Sequence, residues 1–118
     1  MITRLKPDFN FTDDRGELVQ LFRRGYSQVN VVSTRAGVIR GGHYHKLNTE
    51  AFYVISGKCL VTARKNGEEE KDLFVAGDFF QMEPFASHSF EYLEDTVMVT
   101  MYSLGVEFDD GSKDIYPE

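Results

Sequence analysis

The chain has 118 residues and a net charge of −6, from 13 Lys and Arg against 19 Asp and Glu. That length makes one domain with its own core the expectation, and the acidic balance argues against a nucleic-acid polymer as partner, which selects a basic surface. One cysteine, Cys59, excludes an internal disulfide framework, and no apolar run approaches the roughly 18 residues that span a bilayer. With no charged-then-apolar leader, a cytoplasmic protein without a membrane role is expected.

In chain order, the apolar alternation predicts strands over 18–22, 29–34, 51–56, 58–64, 72–75, 78–82, 88–92 and 96–103. Arg24-Gly25, Ser56-Gly57, Asn66-Gly67, Ala76-Gly77 and Glu94-Asp95 punctuate them. Asn66-Gly67 reads as a hairpin tip, followed by an acidic cluster, Glu68 to Glu70, on an exposed edge. Cys59 falls inside a strand and reads as a small buried hydrophobe. No window holds a helical period, so the fold class is all-β, a sandwich or jelly roll. The polar tail over 107–118 is expected to pack on the barrel or on a second subunit.

Chemistry concentrates in one run, GVIRGGHYHKLNTEAFYVISG, from Gly37 to Gly57. On an extended strand, His43 and His45 point the same way and Tyr44 the other. Glu50 follows a polar turn and can fold back beside them, and the third histidine, His88, comes later in GDFFQMEPFASHSF. Three imidazoles and a carboxylate suit zinc, iron, nickel or manganese. Without a metal, His43 or His45 would instead act as a general base, since imidazole titrates near neutral pH.

The spacing from Gly37 through His43, His45 and Glu50 to Gly57 resembles the first motif of the cupins. Gly77, Pro84 and His88 resemble the second, with two departures: Ala86 replaces the usual glycine, and the interval from Pro84 to His88 is one residue short. The resemblance implies a double-stranded β-helix jelly roll, one cupin domain over 1–118 with its core at about 13–116. It implies a metal held by His43, His45, Glu50 and His88.

A narrower similarity rests on DDRGELVQLF, RGGHYHKLNTEAFYVISGKCLV and DTVMVTMYSLGVEFDDGSKDIYPE. These resemble the C-terminal cupin domain of capsular polysaccharide biosynthesis epimerase/reductase enzymes, and also nucleotide-sugar 3,4-ketoisomerases and dTDP-4-dehydrorhamnose 3,5-epimerases. The last are the weaker match, because they carry Gln where His45 stands and are longer. The resemblance implies an epimerase or ketoisomerase, zinc-dependent, acting on a nucleotide-linked 4-keto sugar in surface polysaccharide biosynthesis. A base would remove the C3 proton to give an enediolate, which reprotonates at C3 or at C4. It further implies a homodimer, and a reductase supplied as a separate protein.

Carried over onto this sequence, His43 and His45 are the catalytic histidines, and Tyr102 and Tyr92 the candidate proton donors. Tyr53 has outward parity and is a weaker one. Arg40 and Lys46 are the candidate substrate-binding cations, with Arg40 near the diphosphate. Asp13, Asp14 and Arg15 mark a strand entry or a simple turn, and Asp78 a turn residue. Two other readings share this site: an iron cupin dioxygenase or other small-molecule metal enzyme, and a non-catalytic sugar-binding cupin.

Overall fold

A computed structural model covers residues 1–118 and contains strands and turns but no helix. In chain order the strands are β1 (Ile2–Arg4), β2 (Phe9–Asp13), β3 (Gly16–Gln20), β4 (Gln28–Thr34), β5 (Ile39–Tyr44) and β6 (Glu50–Ser56). They continue with β7 (Lys58–Lys65), β8 (Glu68–Val75), β9 (Phe79–Met82), β10 (Ser87–Tyr92), β11 (Thr96–Tyr102) and β12 (Tyr116–Pro117). Two five-stranded sheets, ordered β1-β9-β6-β11-β4 and β12-β5-β10-β7-β8, make the jelly roll, while β2 and β3 form a separate hairpin.

Alternation along the strands builds the interior. One sheet sends Phe52, Val54, Phe80, Met82 and Met98 inward, and the other sends Cys59, Val61, Ala63, Phe74 and Phe90 to meet them. The rings of Phe74 and Phe80 stack at 3.7 Å and those of Phe52 and Phe80 at 4.9 Å. Each fully buried Phe of this kind stabilises the fold by about 1.5–3 kcal/mol. A smaller cluster covers the outer face of the first sheet, where Ala51, Phe79 and Met101 meet Leu21, Phe22 and Tyr26. That cover explains why β6 is buried on both faces at Ala51 and Phe52, although Tyr53 does point outward as its parity requires.

Asn66 (φ 53°) and Gly67 (φ 79°) make the expected two-residue hairpin, both in the left-handed region that such a turn demands. The acidic cluster is itself strand, however: Glu68, Glu69 and Glu70 pair with Lys65, Arg64 and Ala63. Pairing with β7 overrides the low strand propensity of glutamate. β8 is the edge strand of its sheet, so the charges lie where they discourage further pairing. Strands β1, β2, β5 and β12 lie outside the runs of apolar alternation, β5 being the extended strand expected at His43. The tail packs on the barrel, with Tyr116 paired to Tyr44 and Pro117 to His43.

Candidate active site and metal centre

Strand β5 carries His43, with His45 just past its end, and its register explains the sequence RGGH. Opposite it on β10, His88 faces His43 and Ser89 faces Gly41, which leaves Gly42 unpaired in a bulge with φ 73°. Arg40 and His43 are three residues apart and would face opposite sides of a regular strand. The extra residue restores a common face, so both line the same cavity. Gly41 is required for a different reason: a Cβ there would stand 2.5 Å from the His88 carbonyl oxygen and 2.8 Å from the Ser89 Cα.

His88 reaches the cavity despite the shortened second motif. Phe85 takes φ 68°, and Ala86 fits into the core at 1% exposure. The turn therefore adjusts its length with one left-handed residue. The result brings all four predicted donors together, with one ligand atom from each of His43, His45, Glu50 and His88 lying within 4.8 Å of the others. Glu50 Oε1 is 3.1 Å from His45 Nε2 and 3.3 Å from His88 Nε2.

The hydrogen bonds orient these rings. His45 Nδ1 donates to the Asp114 carbonyl at 2.5 Å, and His88 Nδ1 donates to the Ala86 carbonyl at 3.2 Å. With the Nδ1 atoms protonated, both Nε2 lone pairs face a carboxylate oxygen. Electron pairs meeting in this way need a positive charge among them. A metal ion or a proton on His45 would supply it. Burial opposes that proton, but the hydrogen bond to Glu50 and the Asp114 carbonyl outweigh burial and raise the His45 pKa. Burial likewise opposes charge on Glu50, yet hydrogen bonds from His45 and His88 hold it at about 2. His43 is pushed down to about 4 by burial and by its two neighbouring imidazoles. An ionised carboxylate with imidazoles preset by carbonyls is a donor set able to bind a divalent metal.

Beside this cluster lies a cavity of about 160 Å³, lined also by Asn30, Met98, Thr100, Tyr92 and Tyr102. It is smaller than the ~300–1,000 Å³ of sites that engulf a drug-sized ligand, so it accepts a ring-sized portion and leaves the rest at its mouth. Tyr102 and Tyr92 both line it. Burial, then the Glu50 carboxylate, raises the Tyr102 phenol well above its ordinary range. Burial pushes Tyr92 to about 12. Both are therefore protonated donors at neutral pH.

Arg40 lines the cavity and donates from Nε to Thr34 Oγ1 at 2.9 Å. Lys46 is not brought to it. The Lys46 ammonium sits 4.2 Å over the Tyr116 ring, and that ring stacks on Tyr44, which faces away from the histidines. Asp13 and Arg15 form the turn of the β2–β3 hairpin, paired to each other. Asp78 is a turn residue whose carboxylate accepts the Val75 amide at 2.8 Å. Asp114 and Asn48, each 1% exposed, support the site and are not evident from the sequence, where an aspartate in GSKDIYPE reads as solvated.

Fold and site together define a cupin jelly roll with a His and Glu cluster able to hold a metal. Residues 11–116 match the polysaccharide biosynthesis C-terminal domain, and the chain belongs to that family. No curated protein matches it in sequence. Among solved structures, the dTDP-4-dehydrorhamnose 3,5-epimerase from Sulfolobus tokodaii is similar at 26% identity and TM-score 0.73, over 86% of this chain and 69% of that one. A mutant of the 3,4-ketoisomerase QdtA from Thermoanaerobacterium thermosaccharolyticum, in complex with TDP-4-keto-6-deoxyglucose, shares the fold. It aligns at TM-score 0.81 and 14% identity, over 99% of this chain and 87% of the other. The capsular polysaccharide assembling protein CapF from Staphylococcus aureus aligns at TM-score 0.65 and 23% identity, over 92% of this chain but 33% of its own length. No helix of this structure is long and apolar enough to cross a membrane.

Proposed function

We propose that this protein is a metal-dependent epimerase or ketoisomerase of a nucleotide-linked 4-keto sugar. The carrying observation is the convergence of His43, His45, Glu50 and His88 in one cluster, three of which, His43, Glu50 and His88, line a ring-sized cavity together with two protonated tyrosines. The four residues would hold the metal, zinc by donor type, which when bound would polarise a ketone oxygen as a Lewis acid. This chain's own groups do the rest. Arg40 receives the diphosphate at the mouth, the apolar walls at Phe52, Phe90 and Met98 exclude water, and Tyr102 and Tyr92 stand as protonated hydrogen-bond donors to the enediolate oxygens.

A second reading has support in one observation: His43 takes no part in the Glu50 contacts and is the least buried of the four. Neutral at pH 7, it would accept the C3 proton itself. We further infer a homodimer. The β2–β3 hairpin exposes Phe9, Phe11 and Leu18, and the edge strand β4 exposes Val29 and Val31, apolar surfaces that a second copy would cover.

The test is proton NMR of UDP- and dTDP-linked 4-keto sugars in deuterium oxide, with metal content measured alongside. Deuterium entering C3 is expected, together with at least a tenfold rise in KM for Arg40→Ala. Turnover that survives complete metal removal would transfer the chemistry to His43 as base. No exchange across the panel with metal bound would overturn the proposal in favour of an oxygenase or a sugar-binding protein.

A further inference from the structure

The metal-ligating residues His45 and Glu50 are joined by a four-residue turn, Lys46 to Thr49. Its hydrogen bonding is entirely borrowed. The amides of Lys46, Leu47 and Asn48 donate to the Asp114 carboxylate at 2.8, 2.9 and 3.0 Å, and the Thr49 amide donates to Ser103 Oγ at 3.0 Å. Every amide of the turn is thus satisfied by a group some 54 to 68 residues away in sequence.

Asn48 fastens the same turn from inside. Its Nδ2 donates to Asp114 Oδ2 at 2.8 Å and to the Gly105 carbonyl at 2.9 Å. Its Oδ1 accepts the amides of Leu104 at 2.9 Å and Gly105 at 3.0 Å. Both donors and both acceptor positions of the side chain are filled, and the Asp114 carboxylate accepts four hydrogen bonds, one on Oδ1 and three on Oδ2. The Asp114 main chain does a third task, since its carbonyl takes the His45 Nδ1 proton. One residue of the C-terminal segment therefore holds both the backbone that follows His45 and the tautomer of its ring.

We propose that Asp114 and Asn48 are positioning residues that lock the His45–Glu50 turn in its ligating geometry. The C-terminal segment is then a clasp on the metal centre. This rests on the metal reading above, and it adds a coupling: whatever holds the turn in place also holds the tail, so metal binding and tail docking stabilise each other. Groups that orient a ligating histidine from behind change metal affinity by about 10–100-fold when lost. Burial is what gives the network this leverage, because a freed carboxylate or amide here has no water to turn to.

The experiment compares the full-length protein with Asp114→Asn and Asn48→Ala. Histidine ¹⁵N NMR of the metal-free proteins, at a pH high enough to leave His45 neutral, reads its tautomer, and competition with a chromophoric chelator reads zinc affinity. Expected is a His45 ring that loses its fixed Nδ1 proton while His88 keeps its own, with zinc affinity down 10–100-fold in variants that remain folded. Folded variants with an unchanged His45 ring and zinc affinity within threefold of the parent would overturn the proposal. Should the variants not fold, hydrogen exchange on the parent decides: zinc must protect the amides of Lys46, Leu47 and Asn48 more than those of β7, and equal protection is refutation. If the parent binds no zinc, the metal reading falls, and the His45 tautomer in the metal-free variants still decides the positioning role.

Discussion

Acid should unfold the metal-stripped protein through His43 first. Its pKa lies at about 4 in the fold against an ordinary 6.5, so below pH 6.5 the unfolded chain binds a proton that the folded one refuses. A folded pKa depressed in this way gives stability that is fully present above pH 6.5 and drains away as pH falls to about 4. The difference corresponds to about 3 kcal/mol, an upper figure because His43 is only half-buried. Glu50 adds a second loss of the same sign in a lower window, between its ordinary 4.5 and about 2. His45 runs the other way, since its raised pKa contributes stability at low pH that is lost as pH rises above its ordinary range. It is protonated in both states between pH 6.5 and 4, and so drops out of that interval. For a chain of this size ~1 kcal/mol moves the midpoint by about 4 °C, so thermal melts in chelator should fall by ~10 °C from pH 6.5 to 4. A His43→Gln variant should lose most of that slope. An equal slope in the variant would refute the assignment of this window to His43.

Gly41→Ala should destabilise the protein by at least ~2 kcal/mol, because it combines φ 109° with a Cβ driven into the His88 carbonyl. Chemical denaturation measures this, and a change below about 0.5 kcal/mol would show that β10 can retreat. If the exposed hairpin is an interface, a Phe11→Glu, Leu18→Glu double variant should elute as a monomer at concentrations where the parent is a dimer. Light scattering on both distinguishes this from a parent that is monomeric throughout.

The first motif was readable because its geometry is local. Two histidines at i and i+2 share a face in any strand, and a short turn returns Glu50 to them. Eight of the twelve strands follow the apolar alternation, since each has one face on the core. His88 was harder, because its direction depends on the backbone angle at Phe85, which is set by the sheet that the turn must join. Lys46 does not line the cavity, for a related reason. Parity places a residue on a face of a strand, but Lys46 lies two residues past the end of β5, and Asp114 holds its amide while the side chain turns to Tyr116. Asp114 itself left no local trace. Its importance lies in four donors contributed by residues 46–48, a relation visible only after folding.

The two glycines of RGGH show how backbone geometry can specify a site as firmly as side chains do. The proposed reaction needs a cation for the diphosphate and donors for the metal on one side of the same substrate. Strand parity forbids that to residues 40 and 43, and the bulge at Gly42 removes the prohibition. Gly41 then lets β10 approach closely enough for His88 to stand opposite His43, with their ring centroids 4.7 Å apart. The requirement also explains how an acidic protein can take an anionic substrate. With a net charge of −6, the overall field repels a diphosphate, and the ionised Glu50 lies inside the cavity. Attraction must come from short range, from Arg40 and from the cation that the imidazole cluster demands. If the proposed reaction is right, a nucleotide sugar should bind weakly to the metal-free protein, even with Arg40 intact.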